Sequence, residues 1–345
     1  MEYGAGPAEQ LASTSAVALY PLLFEPIYQY RLWGGRRLAD FLTAPLPGDG
    51  PIGEAWVLSD RADHPSCVAD GPLKGRTIAQ LMGQAPEELM GKLASRFPRF
   101  PLLLKFLDAN AMLSVQVHPA DWQTALLPEG ESGKTEAWIV LEAGPKSRIY
   151  AGLKPDATEE RFLQALTNRT LADELASFTP CAGDAVFLRA GTVHSLGGGI
   201  VVFEVQENSD VTFRLNDWNR VDATTGQARP LQIEQALACI DFTQGEVRPI
   251  TPRVERTRPM LRERIFQCEH FELRRFRGEA PFSVGAAGAP TVLVGIEGGG
   301  QIEREGAIYP LGKGEVMLLP AVLGACIYQP LGTSCLLEIE LPANQ

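Results

Sequence analysis

The sequence predicts a mainly β protein of jelly-roll type, with two barrels and helical inserts. Three observations carry this. From Pro21 onward the chain breaks into short apolar runs punctuated by many of its 34 Gly and 26 Pro, the texture of sandwiches and barrels. The last hundred residues contain no helical periodicity. A partly similar element occurs once in each half, and such repetition marks a duplicated unit. With 345 residues the chain exceeds a typical domain of roughly 100–200 residues. The expected division is a flexible arm over 1–20, a catalytic unit over 21–245, and a C-terminal β unit over 246–345.

The arm is rich in small and polar residues without period. The first helical insert, about 77–97, opens on Thr77-Ile78-Ala79-Gln80, a capping-box pattern, and resumes at Pro86, a residue suited to a first helical turn. A second insert is expected over about 158–178. A third helix begins near Pro230 and carries Ile233, Ala236, Leu237 and Ile240 at helical spacing. Beyond Phe242 come turns such as Gly298-Gly299-Gly300 and Pro310-Leu311-Gly312-Lys313-Gly314. The repeated element runs from Gly183 through Arg189 and Gly191 to His194, and again from Gly314 through Pro320 to Ala325. Both copies resemble the second cupin motif, which ends on a metal-binding His. Arg189 replaces its Pro in the first copy, and Ala325 replaces its His in the second. The fold expectation is therefore a pair of cupin jelly-roll barrels, the second metal-free.

Composition narrows the function. Hydrophobic residues make up 45% and charged residues 21%, enough apolar side chain for a real core. A net charge of -11 and a pI near 5.0 argue against a nucleic-acid or anionic-membrane partner, which must be met with Lys and Arg. The six cysteines form no CxxC pair and read as reduced thiols. No Lys or Arg precedes Arg31, so the apolar stretch around Ala16 to Phe24 lacks the basic start of a signal peptide. No apolar run is long enough to span a bilayer. Cytoplasmic is the expected compartment.

Strand alternation locates the chemistry. In Leu113-Ser114-Val115-Gln116-Val117-His118, the polar residues share one face and the apolar residues the other. Glu136 shares a face with Trp138 and Val140, and His194 follows a strand over Ala185 to Leu188. Two imidazoles and a carboxylate leave open positions on a metal, as catalytic sites do. Gln116 would be a weak fourth ligand. By local spacing alone, His118, Glu136 and His194 fit equally two hydrogen-bonded histidines and a surface carboxylate. In Val211-Thr212-Phe213-Arg214-Leu215-Asn216, alternation puts Arg214 with Thr212 and Asn216, on a polar face. Lys105 interrupts an apolar strand, where a charge needs a partner; a lumen-facing and a strand-edge placement both satisfy that. Lys134 shares a strand face with Glu136 and is the candidate for a phosphate, with Ser114 as hydrogen-bond donor. His64 and His270 fit no motif and read as structural or exposed.

The words Ile52-Gly-Glu-Ala-Trp56, Ser114-Val-Gln-Val-His-Pro119, Gly133-Lys-Thr-Glu-Ala-Trp138, Gly191-Thr-Val-His-Ser-Leu196 and Val211-Thr-Phe-Arg-Leu-Asn-Asp-Trp218 resemble the mannose-6-phosphate isomerases, in their smaller bacterial form. The resemblance runs in order from about Pro21 to Phe242. It implies a cupin enzyme with one zinc per chain that interconverts mannose 6-phosphate and fructose 6-phosphate by moving a proton between C1 and C2 through an enediol. It makes His118, Glu136 and His194 zinc ligands, with Gln116 a ligand in some members, and Arg214 catalytic. Asn216 falls where members often carry an aromatic, which bears on which hexose 6-phosphate is preferred. Two rivals stand beside this reading. Two His and a carboxylate are also the facial triad of non-haem iron oxygenases, and a non-catalytic sugar-phosphate-binding regulator would keep the same barrel.

Overall fold

The computed structural model describes residues 18–222 and 225–342. Most of the expected arm, residues 1–17, therefore lies outside the described residues. The protein is mainly β, with antiparallel sheets and few helices. The described strands form sheets of seven, six, five and four strands. They stack in layers, and each layer's apolar face explains the next.

The five-stranded sheet holds Val115–Val117, Ile149–Leu153, Leu175–Phe178, His194–Leu196 and Phe213–Asn216. Val115, Val117, Phe213 and Leu215 point outward from it, under Phe162 and Ala236 of the helices Glu159–Asn168 and Ile233–Cys239. The opposite face meets the six-stranded sheet across a core that includes Ala151, Leu196, Trp138, Val202 and Leu188. In the six-stranded sheet the reverse face, with Leu104, Phe106, Phe203 and Val205, packs on Leu273, Val292, Leu318 and Leu337 of the seven-stranded sheet. A last core, including Leu293, Met317, Leu336 and Tyr328, joins the seven-stranded sheet to the four-stranded one.

The repeat has a structural counterpart. Gly183 and Gly314 both take positive φ, 92° and 78°, a conformation glycine adopts without a Cβ penalty. Each is followed by a four-residue strand, Ala185–Leu188 or Val316–Leu319, after which the chain crosses to the facing sheet as His194–Leu196 or Cys326–Pro330. His194 and Ala325 stand at, or just before, the start of those second strands.

The Thr77 capping box forms, with Gln80 N–H donating to the Thr77 hydroxyl and Thr77 N–H to Gln80 Oε1. Helix follows at Ile78–Gln84 and Pro86–Met90. The insert expected as helix over 158–178 is α-helical only to Asn168, with a short 3-10 turn at Leu171–Glu174 beyond it. Arg169 adopts a left-handed φ of 61° and ends the α-helix, and Leu175–Phe178 is a strand paired with Ile149–Leu153. Period alone could not separate a short apolar strand from a helix continuation. Leu22–Leu23 pairs with Met317 and Leu318, so the start of the first unit belongs to the C-terminal sheet. All six cysteines are free. Among the described residues, no helix is long and apolar enough to cross a membrane.

Glu338, 3% exposed, lies on the seven-stranded sheet and accepts the Gly285 N–H at 3.0 Å. Burial and then Glu340 push its carboxyl from 4.5 up to about 7. The folded state thus holds a proton that the unfolded chain releases between those values, so stability is full below pH 4.5 and falls as pH rises to 7. Glu338→Gln is expected to stabilise the protein by about 2 kcal/mol at pH 8 and to leave it unchanged at pH 4.5. Thermal unfolding of both proteins across that range tests this; a Tm gap independent of pH would refute it.

Candidate metal centre and its cavity

The six- and five-stranded sheets bring the polar faces read from the sequence against one another. Within the six-stranded sheet, Trp56, Lys105, Glu204 and Trp138 are successive cross-strand neighbours, and Glu136 is the neighbour of Gln206. On the five-stranded sheet Gln116 lies between His194 and Arg214. Cross-strand neighbours project to the same side, so both rows face a cavity of 390 Å3 lined by residues including Ser114, Gln116, Lys105, Lys134, Glu204 and Arg214.

His118, Glu136 and His194 converge at one end, all at most 2% exposed, with candidate ligand atoms within 4.8 Å of one another. His118 Nε2 is 3.5 Å from Glu136 Oε2, and His194 Nε2 is 3.3 Å from Oε1. Each imidazole is oriented by a backbone carbonyl: His118 Nδ1 donates to Val211 O at 2.8 Å, and His194 Nδ1 to Thr192 O at 2.9 Å. This leaves both Nε2 lone pairs aimed at the carboxylate, the tautomer that metal-bound histidines adopt. Burial holds both imidazoles neutral, His194 at about 4 and His118 well below its ordinary value, with Lys134 adding to the effect. Both Glu136 oxygens are sequestered from solvent and receive no well-directed hydrogen bond. Buried carboxylate oxygens in that state demand a positive charge. Lys134 Nζ, 2.7 Å from Glu136 Oε2 and 3.2 Å from His118 Nε2, supplies one as an ion pair. The donor set of two neutral imidazoles and one carboxylate fits a divalent transition metal with positions left open.

Lys134 therefore stands at the triad. Although burial opposes its charge, Glu136 and Glu204 hold its ammonium above the ordinary range. Gln116 turns its amide nitrogen to His194 Nε2 at 3.2 Å and accepts from Ser114 Oγ at 3.1 Å; the flipped amide would present its oxygen instead. Lys105 is in an interior strand and lines the cavity, so it is not a strand-edge residue. Glu204, Asp210 and Glu54 lie 3.5, 3.8 and 3.9 Å from its Nζ. Arg214 lines the cavity with a buried Nε that has no hydrogen-bond partner. Burial, then Arg229, lowers its pKa, so the guanidinium is poorly compensated and poised for an anion. Asn216 is engaged elsewhere, accepting the Trp218 N–H at 2.7 Å. Gly197 packs so tightly beside His194 that a Cβ there would sit 2.1 Å from Arg148 O.

Four acidic residues also line the cavity, Glu54, Glu204, Asp210 and Asp222, and the first two are the most deeply buried of them. Glu54, in the word Ile52-Gly-Glu-Ala-Trp56, is clamped by Arg31 at 2.9 and 3.1 Å. Burial opposes its charge, yet Lys105 and Arg31 bring the carboxyl down to about 2. Glu204, 3% exposed, accepts Trp138 Nε1–H at 2.8 Å, and burial followed by Glu136 raises its pKa. The signal was present: a lone carboxylate inside Ile200-Val-Val-Phe-Glu-Val poses the same question as Lys105.

Comparison with known proteins agrees with this geometry. Residues 22–135 match the family described as phosphomannose isomerase type I, catalytic domain. The chain is 35% identical over 306 residues to mannose-6-phosphate isomerase ManA of Bacillus subtilis, covering 88% of this chain and 94% of that protein. It is 33% identical over 302 residues to the mannose-6-phosphate isomerase of Streptococcus mutans, covering 87% and 92%. The crystal structure of a Bacillus subtilis mannose 6-phosphate isomerase superposes with a TM-score of 0.84 at 28% identity, covering 92% of this chain and 99% of that one.

Proposed function

Since the chain belongs to the mannose-6-phosphate isomerases, we propose that it interconverts mannose 6-phosphate and fructose 6-phosphate, with zinc held by His118, Glu136 and His194 and, with its amide flipped, by Gln116. The observation that carries this is the buried Glu136 carboxylate, paired with Lys134, facing two neutral, backbone-oriented imidazoles at the end of a polar cavity. Zinc there would polarise the sugar carbonyl and acidify the neighbouring C–H.

The protein's own residues do the rest. Arg214 faces the cavity unpaired and stabilises the oxyanion that develops as the C2 proton leaves. Lys105, Lys134 and Ser114 bind the sugar phosphate from the cavity wall, and Lys134 also pairs with Glu136. Glu204, with its raised pKa, suits the proton transfer: it takes the proton from C2 of the open-chain aldose and returns it to C1 of the enediol, while the C2 hydroxyl proton passes to the C1 oxygen, so that no proton is gained or lost. The apolar backs of both sheets hold these groups rigid. The six- and five-stranded sheets would constitute one cupin barrel within residues 21–245. The seven- and four-stranded sheets would constitute a second, largely within 246–345, with Ala325 in place of the ligand His. Support comes from the core inside each sheet pair and from the repeated crossing strand.

Fructose 6-phosphate formation from mannose 6-phosphate should cease on chelation and return on adding zinc. Iron in protein purified without added metal, with substrate-dependent oxygen uptake, would instead establish an oxygenase.

A further inference from the structure

Behind the six-stranded sheet, on the side away from the catalytic cavity, a second group of metal-ligating side chains converges. Glu207 ends the strand Ile200–Glu207. Its neighbour Gln206 pairs with Glu136, whereas Glu207 pairs with Leu102, on the face that packs against the C-terminal sheet. Strand alternation thus separates the two sites by one residue and one sheet thickness. Glu207 is 6% exposed and accepts the Thr135 N–H at 2.7 Å through Oε2. Its Oε1 faces His270 Nδ1 at 3.3 Å. His270 belongs to the turn joining Leu261–Gln267 to Glu272–Gly278. Asp121, in the loop after His118, completes the group and accepts the Gly133 N–H at 2.7 Å. The candidate ligand atoms of all three lie within 4.8 Å of one another.

We propose that Asp121, Glu207 and His270 form a second site for a divalent transition cation, which ties the C-terminal hairpin to the catalytic half.

The donor set differs from a surface acidic cluster. One donor is an imidazole, which selects zinc-like ions over the all-oxygen preference of calcium or magnesium. Three chain segments contribute, so a bound ion would cross-link the two halves of the protein. The site opens on a cavity of 340 Å3 that Asn208 also lines, and the Asn208 Oδ1 is solvent-excluded without a hydrogen-bond partner. The electrostatics agree with the geometry. Burial, and to a lesser degree Arg96, keep His270 below its ordinary pKa and thus neutral, as a ligand must be. Burial first, and then Asp121, pushes the Glu207 carboxyl up to about 8, so a bound cation would take the place of the proton it otherwise holds near neutral pH. His270 touches nothing in the catalytic cavity, so the site does not depend on the isomerase reading.

Counting zinc in the full-length protein tests the proposal. The chain is stripped with chelator, reloaded with excess zinc, passed through gel filtration and analysed by mass spectrometry. The wild type is expected to retain two zinc ions per chain. His270→Ala should retain one with isomerase turnover intact, and His118→Ala should retain one with turnover lost. Glu207→Gln, which keeps the acceptor for Thr135, should match His270→Ala and guards against misfolding of that variant. A wild type holding one zinc that His118→Ala removes would overturn the second site, as would two ions in both His270→Ala and Glu207→Gln. One zinc that only His270→Ala removes would instead uphold this site and refute the triad.

Discussion

Glu136→Ala is expected to release the catalytic metal and reduce turnover on the order of 10³-fold or more, while also destabilising the metal-free protein. The first effect follows from geometry. Glu136 supplies the anionic donor between two neutral imidazoles, and a dication bound by imidazoles alone has lost its charge compensation. The second follows from Lys134, whose ammonium is 4% exposed and 2.7 Å from Glu136. Removing one partner of a buried pair costs about 3–5 kcal/mol, because the other charge stays desolvated. The loss should fall toward the lower end, since Glu204 also acts on Lys134. Adding Lys134→Ala should restore stability without restoring metal. Zinc content, turnover and denaturant unfolding of the two single variants and the double variant measure this. Full zinc occupancy in Glu136→Ala would refute the ligand assignment.

Arg214→Ala is expected to act oppositely on the two readouts, with metal content unchanged and kcat reduced by about 10²–10³. The guanidinium is not one of the converging ligands, and its nearest strand neighbour is Gln116. Its power comes from being half-buried, beside Arg229 and with a solvent-excluded Nε that is unpartnered. A donor desolvated in advance pays no reorganisation when negative charge develops. Arg214→Lys should recover only part of the rate, since an ammonium cannot reproduce the planar fork. A fall in kcat/KM arising wholly from KM would assign Arg214 to ground-state binding instead.

Several parts of this protein are local properties of the chain and were legible as such. Alternation placed Ser114, Gln116 and His118 on one strand face, and Thr212 with Arg214 on another; the side-chain period of a strand is fixed at two whatever packs around it. The Thr77 capping box and the helix at Ile233–Cys239 were readable for the same reason. The repeat ending in His194 and Ala325 pointed to a duplicated unit, being a local word that occurs twice.

What required the tertiary structure was which faces meet. The strand face of Lys134 suggests a phosphate ligand, and only register with sheet packing shows that it also stands within 2.7 Å of Glu136. The lone charges Lys105 and Glu204 each announced a missing partner, but neither strand says that they are neighbours of one another. The same holds for Leu22–Leu23, which joins the C-terminal sheet, and for Leu175–Phe178, strand by virtue of its partner Ile149–Leu153. His270 fitted no motif because its companions Asp121 and Glu207 lie on distant segments. Period and propensity act over a few residues, whereas a site is assembled by long-range register and burial. The sequence thus determined the polar faces and the ligand types, and the packing of sheet on sheet decided which of them share a metal, a cavity or a charge.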